Sequence, residues 1–193
     1  GLLIGAEFPA MDGSAEAAGA TPLKNRALWL WVAAIFLGGA AENTMSQWGS
    51  GYLEGALGIP KVWGDVFGMV LFSLTLGISR TLYSRYGKGL KKLLFWGSVG
   101  AAICYVTAAL CPIPAVGLLA CAMTGICTSL LWPGTLIVAA ERIPHGGVVM
   151  YALLAAGGDL GSSAIPQLIG VITDLSAAHL PGGERMGMRL GML

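Results

Sequence analysis

Five long apolar runs, parted by short polar or basic stretches, set the pattern of this chain. From Ala27 it carries no charge until Glu42 and stays helix-compatible to about Tyr52, so residues 27–52 predict a first span. At a rise of about 1.5 Å per residue, roughly 20 residues cross a hydrocarbon core of about 30 Å. Gly49, Gly51, Gly55 and Gly58 then loosen the backbone ahead of Pro60. A second span is predicted over residues 62–83, with Asp65 near its start and Arg80 near its end. The uncharged run over residues 93–140 is too long for one helix, and Cys111, Pro112, Ile113 and Pro114 interrupt it where proline cannot continue a helix. It divides into a third span, 90–110, and a fourth, 114–140. A loop with Glu141, Arg142, Pro144 and His145 precedes a fifth span, 148–172, which has Asp159 near its middle. Residues 174–189 read as a polar loop, and residues 187–193 as the start of a further helix.

Charge orients these spans. Residues 80–92, RTLYSRYGKGLKK, hold five basic residues and no acidic one between two apolar runs. Lys and Arg are costly in a bilayer core and accumulate in short cytoplasmic loops, so this loop is expected to face the cytoplasm. Parity then places Lys24, Arg26, Arg80, Arg85, Lys88, Lys91, Lys92 and Arg142 inside and leaves Lys61, Arg185 and Arg189 outside. The composition agrees. The 193 residues are 55% hydrophobic and 11% charged, against about 25% charged in a soluble domain, so lipid is the expected main solvent. A net charge of +1, with basic residues beside apolar runs, argues against nucleic acid as a partner. Cys104, Cys111, Cys121 and Cys127 fit no metal motif and read as small packing residues.

Residues 1–26 begin apolar and become a small, slightly acidic stretch, expected to be the end of an upstream helix and a cytoplasmic linker. The start at Gly1 and the apolar ending MGMRLGML suggest a piece of a longer protein. No signal peptide is evident. The localisation expected is a bacterial-type inner membrane, with residues 1–26 and 80–92 cytoplasmic.

The third span carries little that is polar beyond Ser98, Tyr105 and Thr107 and reads as peripheral. The other four are half-polar. Glu42, Ser46, Gly49 and Ser50 share one face of the first, with Asn43 and Gln47 beside them. Thr124, Thr128, Trp132 and Thr135 stripe the fourth, and Asp159, Ser162, Ser163, Pro166 and Gln167 the fifth. Such faces imply a polar cavity within a bundle. For the Ser, Thr and Gly positions, including the pairs Gly64 with Gly68 and Gly157 with Gly161, close helix packing is the preferred reading. Glu42 and Asp159 differ, because an uncompensated charge inside a span costs about 2.5 to 3.5 kcal/mol. The sequence suggests no pairing partner for either. Arg80 and Asp65, near opposite ends of one span, read as interfacial anchors. Glu42 and Asp159 are therefore candidates both for coupling or solute binding and for structural hydrogen bonds.

Arg85, Tyr86, Gly87 and Lys88 resemble the R-x-G-[RK] core of the loop signature of the major facilitator superfamily, in its second-half copy. Ser84 stands where the signature has an acidic residue, and Arg80 where it has its leading glycine. The order of spans is similar to helices seven to eleven of that superfamily. AENTMSQWGSGYL, LWPGTLIVAAERIP and GGDLGSSAIPQLIG resemble its fucose permease-like and related sugar-porter branches. The resemblance implies an all-α membrane protein, half of a twelve-helix bundle, whose N-terminal six-helix half is its partner. It implies alternating access about a midplane site. The function expected is secondary active transport of a small polar solute, with sugars as the candidate class, coupled to protons through Glu42 or Asp159. Glu42, Asn43, Gln47, Trp48, Trp132, Asp159 and Gln167 are the candidate solute-binding residues, since indole faces suit sugar rings and amides suit hydroxyls. Trp48 and Trp132 fit interfacial anchoring equally.

Two other classes compete. A non-transporting polytopic protein, such as a sensor or assembly subunit, shares the hydropathy but needs no buried carboxylates. An intramembrane aspartyl protease is suggested by Gly157, Gly158 and Asp159, but Ala156 replaces the first glycine of its G-x-G-D element and the preceding span holds no second aspartate. No nucleophile with its base, phosphate loop or metal-ligand cluster stands out, so neither enzymatic activity nor a cofactor or metal is expected.

Overall fold

The computed structural model describes residues 25–143 and 146–193. Most of the stretch 1–26, with its upstream helix and linker, and the loop positions Pro144 and His145 lie outside the described residues. Among the described residues the chain is all-α. Five helices are long and apolar enough to cross a membrane: α1 (Arg26–Gly55), α2 (Lys61–Tyr86), α3 (Leu90–Leu110), α4 (Pro114–Arg142) and α5 (Gly147–His179). A short α6 (Gly183–Gly191) follows. Exposed Leu30, Leu37, Phe95, Trp96, Ile103, Leu119 and Leu160 require an apolar solvent, as an integral membrane protein has.

The helix ends follow local chemistry. Asn25 caps α1 by accepting a hydrogen bond from the Ala27 amide at 3.0 Å. Past α1, Gly58 takes φ +70°, a left-handed turn that side chains resist, and Pro60 prevents continuation. The basic stretch 80–92 is mostly helical: α2 runs to Tyr86, α3 starts at Leu90, and residues 87–89 form the turn, with Gly89 at φ +73°. The expected polar loop over residues 174–189 is helical to His179 and resumes as α6 at Gly183, four residues before the predicted start. Asp174 to His179 contain no helix breaker, and the stop comes at Leu180, Pro181 and left-handed Gly182.

Three helices are irregular. Gly64–Val70 of α2 is a π-helix. α4 breaks at Ser129 and Leu130, between Pro114–Thr128 and Leu131–Arg142. α5 passes through Pro166. Half of the most apolar stretch of α4 is buried against only 17% in α3, which makes α3 peripheral as its sequence suggests. α2 is as little buried as α3. Two apolar cores form, one around Met45, Tyr52, Leu53, Phe72 and Cys121, the other around Leu28, Ile35, Ala139, Met150 and Leu154. Along α1 the polar positions Glu42 and Asn43 fall between them.

Packing claims most of the small-residue stripes. A side chain at Gly161 would strike the Phe36 backbone, one at Gly157 the side chain of Val32, and one at Gly68 the side chain of Leu53, so these glycines bring α5 and α2 against α1. Thr124 and Thr128 are fully buried and donate to the carbonyls four residues back at 2.8 and 2.9 Å, with Thr135 alike. Thr124 and Thr128 face neighbouring helices, whereas Thr135 borders an apolar groove between α1, α3 and α4.

Gly161→Val is expected to lower the thermal midpoint in detergent, since overpacking costs about 1 to 3 kcal/mol. Gly51→Ala, where nothing lies within 4 Å, is expected to leave the midpoint unchanged or raise it. Equal losses in both variants would contradict the close approach of α1 and α5.

Candidate functional site

Among the described residues, one cavity combines charge, amide, hydroxyl and indole groups. It encloses about 230 Å³ and is lined by Gly39, Glu42 and Asn43 of α1, Arg80 of α2, Trp132 of α4, and Asp159 and Ser162 of α5. Grooves of about 540 and 460 Å³ exist elsewhere, but their walls are chiefly apolar. The smaller cavity carries the chemistry. Its volume lies below the roughly 300 Å³ at which ligand pockets usually begin, so it suits a few waters or part of a small solute.

The cavity exists because three helices approach closely. A Cβ at Gly39 would lie 2.5 Å from the Gly158 carbonyl oxygen and 2.8 Å from Ser162 Oγ, and one at Gly158 would strike Trp132 Nε1. Two glycines thus let α1, α5 and the Trp132 indole converge. Asn43 Nδ2 donates to Ser162 Oγ at 2.9 Å and to its own helix at the Gly39 carbonyl at 3.2 Å, which ties α1 to α5.

Glu42 does have a partner, contrary to the sequence expectation. Arg80 Nη2 donates to both Glu42 carboxylate oxygens, at 2.8 and 2.7 Å, and Arg80 Nε donates to the Ser129 carbonyl at 2.8 Å. Arg80 is therefore not an interfacial anchor: it lies within α2 and its side chain turns into the bundle. Because α2 extends to Tyr86, Arg80 sits about 9 Å inside the helix end at a rise of about 1.5 Å per residue, and its side chain reaches Glu42 on α1. The Glu42 side chain is 20% exposed and that of Arg80 40%, so the pair opens onto the cavity rather than being sealed in the core. Asp159 is exposed on the same cavity and has no salt bridge or side-chain hydrogen bond to its carboxylate among the described residues. Asp65, the other suggested anchor, accepts a hydrogen bond from Ser50, a second polar tie between α1 and α2.

Of the seven candidate solute-binding residues, Glu42, Asn43, Trp132 and Asp159 share this cavity. Gln47 and Gln167 are exposed and outside its lining. Trp48 braces two helices: its Nε1 donates to the Pro166 carbonyl at 2.9 Å and its ring lies over Gly170. Arg85, Gly87 and Lys88 remain exposed at the α2–α3 turn. Sequence reasoning missed Arg80 and Gly39 as cavity residues. The signal for Arg80 was its place on the helix face that meets Glu42, hidden by the cluster of basic residues that follows it.

The four cysteines are free thiols. No protein family, no curated protein and no solved structure matches the chain.

Removing Asn43 and Ser162 side chains singly and together, as Asn43→Ala and Ser162→Ala, is expected to give a coupling of about 0.6 kcal/mol in unfolding experiments, the mean for interhelical hydrogen bonds in membranes. Strict additivity would show that the two side chains do not meet.

Proposed function

We propose that the chain is the C-terminal half of a secondary active transporter of the major facilitator type, moving a small polar solute by alternating access. The observation that carries this reading is the free carboxylate of Asp159 beside a Glu42–Arg80 pair, an amide, a hydroxyl and an indole in one cavity of a lipid-embedded bundle. Ionisable groups in membrane spans are expensive and mark solute or ion pathways by default. A non-transporting polytopic protein gains nothing from keeping one unpaired.

The groups divide the work. Glu42 is held by Arg80, which leaves its charge compensated whether or not a solute is present. Asp159 has no such partner and is the group placed to take up a proton. The Asn43 amide, the Ser162 hydroxyl and the Trp132 indole offer the hydrogen bonds and apolar face that a polyhydroxylated solute such as a sugar requires. At about 230 Å³ the cavity is one wall of a site, and a six-helix N-terminal half supplies the facing wall. The two halves then rock about the solute, opening it to one side of a bacterial-type inner membrane and then to the other, with the α2–α3 turn cytoplasmic.

The test is accumulation of a panel of labelled monosaccharides by membrane vesicles carrying the full-length protein. Asp159→Asn is expected to abolish concentrative uptake while leaving membrane expression intact, and Glu42→Gln to reduce uptake through loss of the ion pair. Unchanged accumulation in both variants would contradict carboxylate coupling, and no accumulation by the unmodified protein would contradict the sugar reading.

A further inference from the structure

We infer that Arg80 is the positioning residue of the cavity, and that its place is fixed by Pro133. In an α-helix each carbonyl accepts from the amide four residues on. For Ser129 that residue is Pro133, which has no N–H to give. The Ser129 hydroxyl offers no substitute, because it donates back to the Ile126 carbonyl at 2.8 Å. The regular ladder resumes one residue later, where the Gly134 amide donates to Leu130 at 2.8 Å. Ser129 is itself buried, so an orphaned carbonyl there is left with neither water nor a donor, which is strongly unfavourable. Arg80 Nε fills the gap at 2.8 Å, while Nη2 of the same planar guanidinium holds both oxygens of Glu42. One side chain of α2 thus joins α1 to the break in α4, three residues before Trp132. Its rigid fork serves two acceptors at once, which the single nitrogen of a lysine does not reproduce.

The consequence is directional. Without Arg80, the carbonyl of Ser129 and the carboxylate of Glu42 both lose their partner, and Trp132 loses the anchor that sets its height against Gly158. This assignment rests on the transporter reading only for the purpose of the cavity. The bonds themselves are tested without any solute.

The experiment uses full-length protein labelled with 5-fluorotryptophan in phosphatidylcholine nanodiscs, with the Trp132 fluorine resonance identified by its loss in Trp132→Phe. Arg80→Lys is expected to shift the Trp132 resonance while those of Trp63 and Trp96 stay in place. Adding Pro133→Ala, which returns an amide donor to the Ser129 carbonyl, is expected to bring the Trp132 resonance back toward its original position. Pro133→Ala alone is expected to move it little. An unmoved Trp132 resonance in Arg80→Lys, a shift of all the resonances alike, or no recovery in the double variant overturns the assignment. If Arg80→Lys is lost from the membrane, the same rescue is read as recovered membrane-embedded protein in the double variant, and no recovery is again a refutation. Rescue with no monosaccharide accumulation would contradict the sugar reading and leave this assignment standing, and intact accumulation without rescue would do the reverse.

Discussion

A charge carried into lipid must meet its complement there, and the arrangement of this bundle follows from how one guanidinium does so. Arg80 holds Glu42 of α1 on one side and the Ser129 carbonyl of α4 on the other. Hydrophobic burial cannot fix helix positions in a bilayer, since lipid tails are as apolar as the side chains they would replace. Polar ties and close glycine contacts must set the geometry instead. α1 carries most of them: Glu42 to α2, Ser50 to α2, Asn43 and Trp48 to α5, and its Ala41 carbonyl accepts from Tyr105 of α3 at 2.6 Å.

The same constraint explains the treatment of Pro133, one of two prolines that stand inside helices. Each removes an amide from its helix and leaves the carbonyl four residues back without its helical donor. At Pro133 the unpaired carbonyl is met by Arg80. At Pro166 the neighbourhood is braced by the Trp48 indole, which donates to the Pro166 carbonyl itself. Both irregular sites adjoin the cavity, through Trp132 on α4 and Ser162 on α5. The polar cavity thus adjoins two of the three irregular helices, and Arg80 both meets an unpaired carbonyl and lines the space between them.

The fold was largely legible in the sequence, because membrane spans announce themselves by length and lack of charge. The turn at Cys111 to Pro114 and the peripheral character of α3 follow from proline chemistry and from the absence of polar faces. Helix ends were less legible. Ser84 to Tyr86 and Asp174 to His179 are polar enough to read as loop, yet they contain nothing that breaks a helix at the membrane surface. The cavity was legible in part. Glu42, Asn43, Trp132 and Asp159 stand out as polar residues inside spans, whereas Gln47 and Gln167 differ from them only in rotation about the helix axis. Arg80 was hidden for a physical reason: positive charge near a helix end is ordinarily explained by the interface. Only tertiary placement shows that its long side chain turns inward.

The central claim is that Asp159 faces an aqueous cavity within the membrane-embedded bundle. The direct measurement is the reactivity of Asp159→Cys, in full-length protein whose native cysteines are replaced by serine, toward a membrane-impermeant, positively charged methanethiosulfonate reagent. The account predicts modification at position 159 and none for Trp96→Cys on the lipid-exposed face of α3. Equal inertness at both positions would mean that no water reaches Asp159, and the cavity would then be a packing defect rather than a pathway.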